Sequence, residues 1–220
     1  MNNHAREPRR GAAQVTRNAR PAPKLAALHA RAVRAEKIAG HQAMLIGMLA
    51  EVLDSQSLQA ALDSLAAALK ARFDADRVAI ALADETGLTL QAISQQAVFD
   101  TSSSEARLLI DAMHEACTQE SIVCWPPTSD SLGVLAAHRA LAGRRVSSSI
   151  CSVPLYDKQE LIGVFLLERR DQRVFPVQTL ERLSACLAPV LNLHQQADRA
   201  WWSVLKSSTR TCLQRYLGGE

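Results

Sequence analysis

The spacing of apolar positions changes along the chain, and each change marks an element. Leu45, Met48, Leu49, Val52 and Leu53 recur at steps of three and four, which predicts a helix with one apolar face. Asp54 and Ser55 break it, and Leu58, Leu62, Leu65, Leu69 and Phe73 then form the clearest helical stripe in the sequence. The helical period is lost at Arg77–Ala83 and Leu88–Ser94. These two runs flank Asp84-Glu85-Thr86-Gly87, the arrangement of a β-hairpin. Ser102–Ser104 cap a further helix, with Leu108, Leu109, Ala112, Met113 and Ala116 facing inward. Ser121–Trp125 reads as a short strand stopped by Pro126-Pro127, and a small helix over 132–141 ends at Gly143.

Two apolar runs follow, Ser149–Leu155 and Glu160–Glu168, joined by the polar link Tyr156-Asp157-Lys158-Gln159. They read as the central strands of a sheet, with Pro154 confined to a strand end or bulge. Phe175-Pro176 opens a long helix carrying Val177, Leu180, Leu183, Leu187 and Leu191, which Pro189 should kink or end. The resulting order of helices and hairpin-connected strands predicts an α+β fold with a mainly antiparallel sheet of five to six strands. Four regions are expected: a disordered basic tail (1–23), N-terminal helices (24–55), the folded domain (56–195) and an amphipathic C-terminal helix (196–220).

Composition narrows the function. Apolar residues make up 48% of the 220 and charged residues 21%, as in ordinary globular proteins. The longest apolar stretch, Ala43–Ala50, is far shorter than the roughly 20 residues of a membrane helix. The net charge of +3 is uneven: residues 1–40 hold nine Lys and Arg against Glu7 and Glu36, and the remainder is net acidic. The basic excess sits in a tail, so nucleic-acid binding by the folded part is not expected. Five cysteines without a C-x-x-C pair argue against a disulfide framework and against a zinc site. With no apolar core of a secretory signal, a reducing cytoplasmic setting is expected. No H-x-x-x-H, Walker loop or G-x-G-x-x-G is present, and no metal or cofactor is implied.

The stretch 56–193 resembles a GAF domain, the small-molecule sensor module related to PAS domains. The likeness rests on the opening helix and hairpin ending FDADRVAIAL (73–82), on SICSVPL (149–155) followed by ELIGVFLLER (160–169), and on the helix after Phe175-Pro176. AISQQAVFD (92–100), DAMHEA (111–116), VCWPP (123–127) and AHRAL (137–141) are similar to the GAF regions of some bacterial membrane-fusion export proteins. That narrower resemblance implies a cytoplasmic domain at the inner membrane, preceding a periplasmic adaptor. GAF folds hold ligands between the sheet and the elements crossing its open face. By position, the resemblance implies an unidentified small molecule among Ser94, Gln95, Phe99, Asp100, Met113, Trp125, His138, Ser149 and Ser152. The same residues also suit core filling and strand capping. Adjacent His114 and Glu115 diverge by about 100° on a helix and read as a solvated face.

Paired Trp201 and Trp202 with Arg210 and Arg215 suit a membrane surface, and equally a helix packed on its own domain or across a homodimer. The expected function is a non-enzymatic sensor acting by population shift of its flanking helices. A ligand-free dimerisation module is the alternative. A cysteine-dependent free methionine sulfoxide reductase, the chemistry of one GAF-fold group, is the more remote one. Against the reductase, Cys124 and Cys151 are distant in sequence, and Cys151 sits inside an apolar strand where a thiol is inert.

Overall fold

A computed structural model describes residues 23–127, 133–144 and 149–217, so nearly all of the expected basic tail lies outside the described residues. The elements are α1 (Pro23–Leu53), α2 (Leu58–Arg72), β1 (Arg77–Asp84), β2 (Gly87–Ile93), α3 (Ser104–Thr118), β3 (Val123–Trp125), α4 (Ala136–Arg144), β4 (Ser149–Asp157), β5 (Glu160–Arg169) and α5 (Val177–Leu217). The α+β class holds, with five strands in the order β2-β1-β5-β4-β3 and every neighbouring pair antiparallel. The two helices expected before Asp54 are one continuous helix. Two compact units divide the chain, one up to Gln42 and a second from Ala43 that carries the sheet.

The sheet is covered on both faces, which is why β1, β4 and β5 read as unbroken apolar runs rather than as alternation. On one face Val78, Ile80, Phe165, Leu167, Val153 and Leu155 meet the stripes of α2 and α5, with Met48 and Val52 of α1 added to the same core. On the other, Ala79, Ala81, Val164, Leu166 and Ile150 meet Leu109 and Met113 of α3 and Leu141 of α4. On β1, large residues therefore face α2 and α5, while alanines face α3. Backbone crowding is tightest at Gly163 of β5, where a Cβ would stand 2.4 Å from the Ala81 carbonyl oxygen. Only glycine lets β1 and β5 approach so closely there.

Local chemistry sets the turns. Asp84 accepts from the Thr86 backbone N–H at 2.7 Å, and Gly87 takes φ +123°, closing the first hairpin as its sequence predicts. The second hairpin is tighter than the four-residue link expected. Asp157 pairs with Glu160, leaving Lys158 and Gln159 as a two-residue turn with φ of +48° and +73°. That left-handed pair is the geometry usually supplied by Asn-Gly, which hides it from composition. The helix of α5 also does not end at Pro189. The carbonyl four residues earlier, on Ala185, loses its N–H partner, but both residues are exposed, where solvent can satisfy it.

Candidate functional site

Helices α3 and α4 cross the face of the sheet opposite α2 and α5. The start of α3 is locally encoded: Ser103 caps it, its hydroxyl accepting from the Ala106 N–H at 3.1 Å. The start of α4 is not. Its first-turn N–H groups on Ala137 and His138 donate to the carboxylate of Glu115, on α3, at 2.9 and 3.1 Å. A side chain from another helix therefore does the work of an N-cap, and α4 begins at Ala136 rather than at 132. The reading of Glu115 as part of a solvated face is corrected here. Its side chain is only 8% exposed and holds two elements together.

Glu115 also accepts from His138 Nδ1 at 2.6 Å, and His138 Nε2 lies 2.9 Å from Ser152 Oγ on β4. A carboxylate can only accept, so Nδ1 carries the proton, and Ser152 donates its hydroxyl hydrogen to Nε2 of the neutral ring. His138 and Ser152 are fully buried. This chain of acid, histidine and hydroxyl has the connectivity of a nucleophilic triad. Ser152, however, faces packed α4 rather than a space where a substrate carbonyl would sit. Its chemistry is that of a polar clamp joining α3, α4 and β4.

Burial pushes the His138 imidazole below its ordinary value of 6.5, outweighing the hydrogen bond and charge of Glu115. Burial pushes Glu115 up, but hydrogen bonds from Ala137 and His138 outweigh it and hold the carboxyl below 4.5. Both shifts make the fold acid-sensitive. Unfolded His138 binds a proton below about pH 6.5 that the folded chain refuses, so stability falls as pH drops through that value towards the lower folded pKa. The Glu115 contribution is present above its unfolded value and is lost as pH falls through its depressed folded one. Denaturant titrations from pH 7 to 5 should show a decline of up to about 1.4 kcal/mol per pH unit, the limit for one proton. An unchanged slope in His138→Gln would assign the decline to other groups.

The nine residues expected to line one site divide into two sets. Phe99, Met113 and Trp125 pack into the core between the sheet and α3 and α4, where His138 and Ser152 also lie. The other four serve the frame. Ser94 Oγ accepts from the Val78 N–H at 3.0 Å, at the end of β2. Gln95, at φ +65°, accepts from Lys70 Nζ of α2 at 2.9 Å. Asp100 accepts from Ser102 N–H at 2.8 Å, and its carboxyl is held below the usual range by the Ser102 hydroxyl and N–H. Ser149 donates to the Asp171 carbonyl at 2.8 Å. Trp201, Trp202, Arg210 and Arg215 fall within the range of α5, but their side chains lie outside the described residues.

Cysteine pairing corrects a second expectation. Cys124 of β3 faces Cys151 of β4 in the strand register, their Cα atoms are 4.2 Å apart, and the two form a disulfide. Twenty-six intervening residues conceal a pairing that only the antiparallel register creates. Two open grooves are also present. One, of about 390 Å³, runs between β2 and α3 along Leu88, Leu90, Arg107 and Ile110. The other, of about 410 Å³, lies between the start of α2 and His194 and Asp198 of α5. None of the nine expected residues lines either groove. Among the described residues there is no cluster of His, Cys, Asp and Glu fit to hold a metal, and no helix long and apolar enough to cross a membrane.

The fold and the layer of α3 and α4 over an antiparallel sheet match one family. The GAF domain family model covers residues 57–193, well over half the chain, and the protein belongs to that family. A search of curated proteins returns no significant match. Among solved structures, the chain is similar to the GAF domain of the Acinetobacter phosphoenolpyruvate-protein phosphotransferase (18% identity, 72% of this chain and 97% of that one, TM-score 0.53). It is also similar to the free methionine-R-sulfoxide reductase of Neisseria meningitidis (21% identity, 73% and 93%, TM-score 0.53). The GAF domain of the Coxiella burnetii phosphoenolpyruvate-protein phosphotransferase is alike too (16% identity, 74% and 96%, TM-score 0.52). At these identities the likeness is one of fold.

Proposed function

We propose that this chain is a non-enzymatic regulatory GAF domain that takes its input at the α3–α4 layer and passes it to helix α5. One observation carries the reading: β4 is shared by both sides. Ser152 holds His138 of α4 on one face of the strand, while Cys151, Val153 and Leu155 join the core with Leu180, Leu183 and Leu187 of α5 on the other. A displacement of α4 thus acts on the strand against which α5 packs. A ligand that binds one seat of α4 better than the other shifts the population between them, by no more than its differential affinity. The complete burial of Ser152 supports binding and clamping over hydrolysis. The sequence likeness at 92–100, 111–116, 123–127 and 137–141 supports placing the domain in a membrane-fusion export protein.

The test is thermal unfolding of the full chain with cyclic AMP, cyclic GMP and the free amino acids, alongside native mass spectrometry of freshly purified protein. A saturable rise in melting temperature, of about 2.7 kcal/mol equivalent at a hundredfold excess over Kd, supports the sensor. No shift from any of these, together with no copurifying small molecule, would sink it in favour of a ligand-free interaction module.

A further inference from the structure

The disulfide joins the two strands on which α4 rests, from the face turned away from α4. Strand β3 has three residues, lies at the sheet edge and, among the described residues, pairs only with β4. Cys124↔Cys151 is its middle pair, at the close spacing of a non-hydrogen-bonded position, so the covalent bond replaces a missing backbone tie. The next pair is Val123↔Ser152. Ser152 bonds His138 Nε2. Helix α4 packs on both strands. The bed of His138 is therefore built from the two strands that the disulfide joins.

We propose that Cys124–Cys151 is a redox site, reduced by a dithiol and re-formed by exchange with a disulfide, whose opening frees β3 and loosens α4. Access is one-sided: Cys124 is half-buried and Cys151 is fully buried. A thiolate of the dithiol attacks Cys124 Sγ, the Sγ–Sγ bond breaks, and Cys151 leaves as a thiolate that takes up a proton. The second thiol of the reductant then attacks its own bridging sulfur. A disulfide forms within the reductant and Cys124 departs as a thiolate, which is protonated. The domain gains two electrons and two protons, and the dithiol loses them. Cys117, whose thiol burial pushes up to about 11, supplies no competing thiolate at neutral pH. The switch does not depend on a small molecule occupying the α3–α4 layer, so its test is separate from that of the sensor reading.

The experiment treats the folded full chain with dithiothreitol, then alkylates it for mass analysis and follows amide exchange by peptide. Cys124 and Cys151 should become alkylated together without denaturant. Peptides covering β3 and α4 should exchange about tenfold faster while β1 and β5 hold their protection. The melting temperature should fall by about 10 °C, the loss expected when a loop of this length is opened in a domain of this size. Glutathione disulfide should reverse all three changes. A Cys124→Ser/Cys151→Ser variant should show the faster α4 exchange in either buffer, and the wild-type comparison stands alone where that variant does not fold. Resistance to dithiothreitol until the chain unfolds would overturn the proposal, as would reduction with α4 exchange unchanged. Turnover of free methionine sulfoxide that disappears in Cys124→Ser would overturn it too, making the pair a catalytic one.

Discussion

Truncating Phe165 to alanine is expected to lower the unfolding free energy by about 4 kcal/mol, the middle of the range for a buried phenylalanine. The residue sits on β5, the central strand, opposite Ile80 of β1 and Val153 of β4. It is fully buried and points into the core shared by α2 and α5. Its neighbours on three elements are themselves fixed by packing, so the space left by the ring closes poorly and a cavity penalty adds to the lost transfer energy. In a domain of this size the melting temperature should drop by roughly 8–16 °C. Phe165→Leu, which keeps most of the apolar volume, should cost about 1 kcal/mol. Val98→Ala, at a position 92% exposed, should stay within about 0.5 kcal/mol of wild type. A Phe165→Ala cost near that of Val98→Ala in denaturant titrations would mean that the core is not organised around β5.

How much of this was legible beforehand depended on whether an element was encoded locally. The stripe of α2, the Ser103 cap of α3 and the Asp84–Gly87 turn each rest on residues within one turn of one another, and each is readable from the sequence. The runs of β4 and β5 announced burial on both faces but not their partners. What escaped were contacts between residues far apart in the chain. Glu115 caps a helix more than twenty residues downstream. Cys124 meets Cys151 only because β3 pairs with β4 in one register. His138 and Ser152 meet only because α4 lies over that pair. No propensity or period signals such meetings, because each needs the finished sheet. The site residues divided for the same reason: position along the strands gave their neighbourhood, while the face each side chain took was decided by bulges and turns. Gln95, in a left-handed conformation at the end of β2, turns to Lys70 instead of the α3–α4 layer.

Glu115→Ala should carry the second-largest effect, about 3 kcal/mol, and should concentrate it on α4. The substitution removes the acceptor of three hydrogen bonds at once: two from the first turn of α4 and one from the His138 ring. Hydrogen bonds to a charged group contribute about 1.5–3 kcal/mol each in isolation, but three on one carboxylate are not additive. The larger part of the cost lies in what remains. His138 Nδ1–H is left in a fully buried position without its partner, and the two backbone N–H groups lose their cap. Glu115→Gln keeps one oxygen to accept but places an NH₂ against donors, so about half the cost should persist. A double-mutant cycle with His138→Leu separates the contributions. The shared ring contact predicts a coupling of at least about 1 kcal/mol, whereas independent sites would add within about 0.5 kcal/mol. Amide exchange supplies the spatial check: protection should be lost in α4 and kept in α2 and β1. Loss spread evenly over the domain would mean that Glu115 supports the whole fold and does not set the seat of α4.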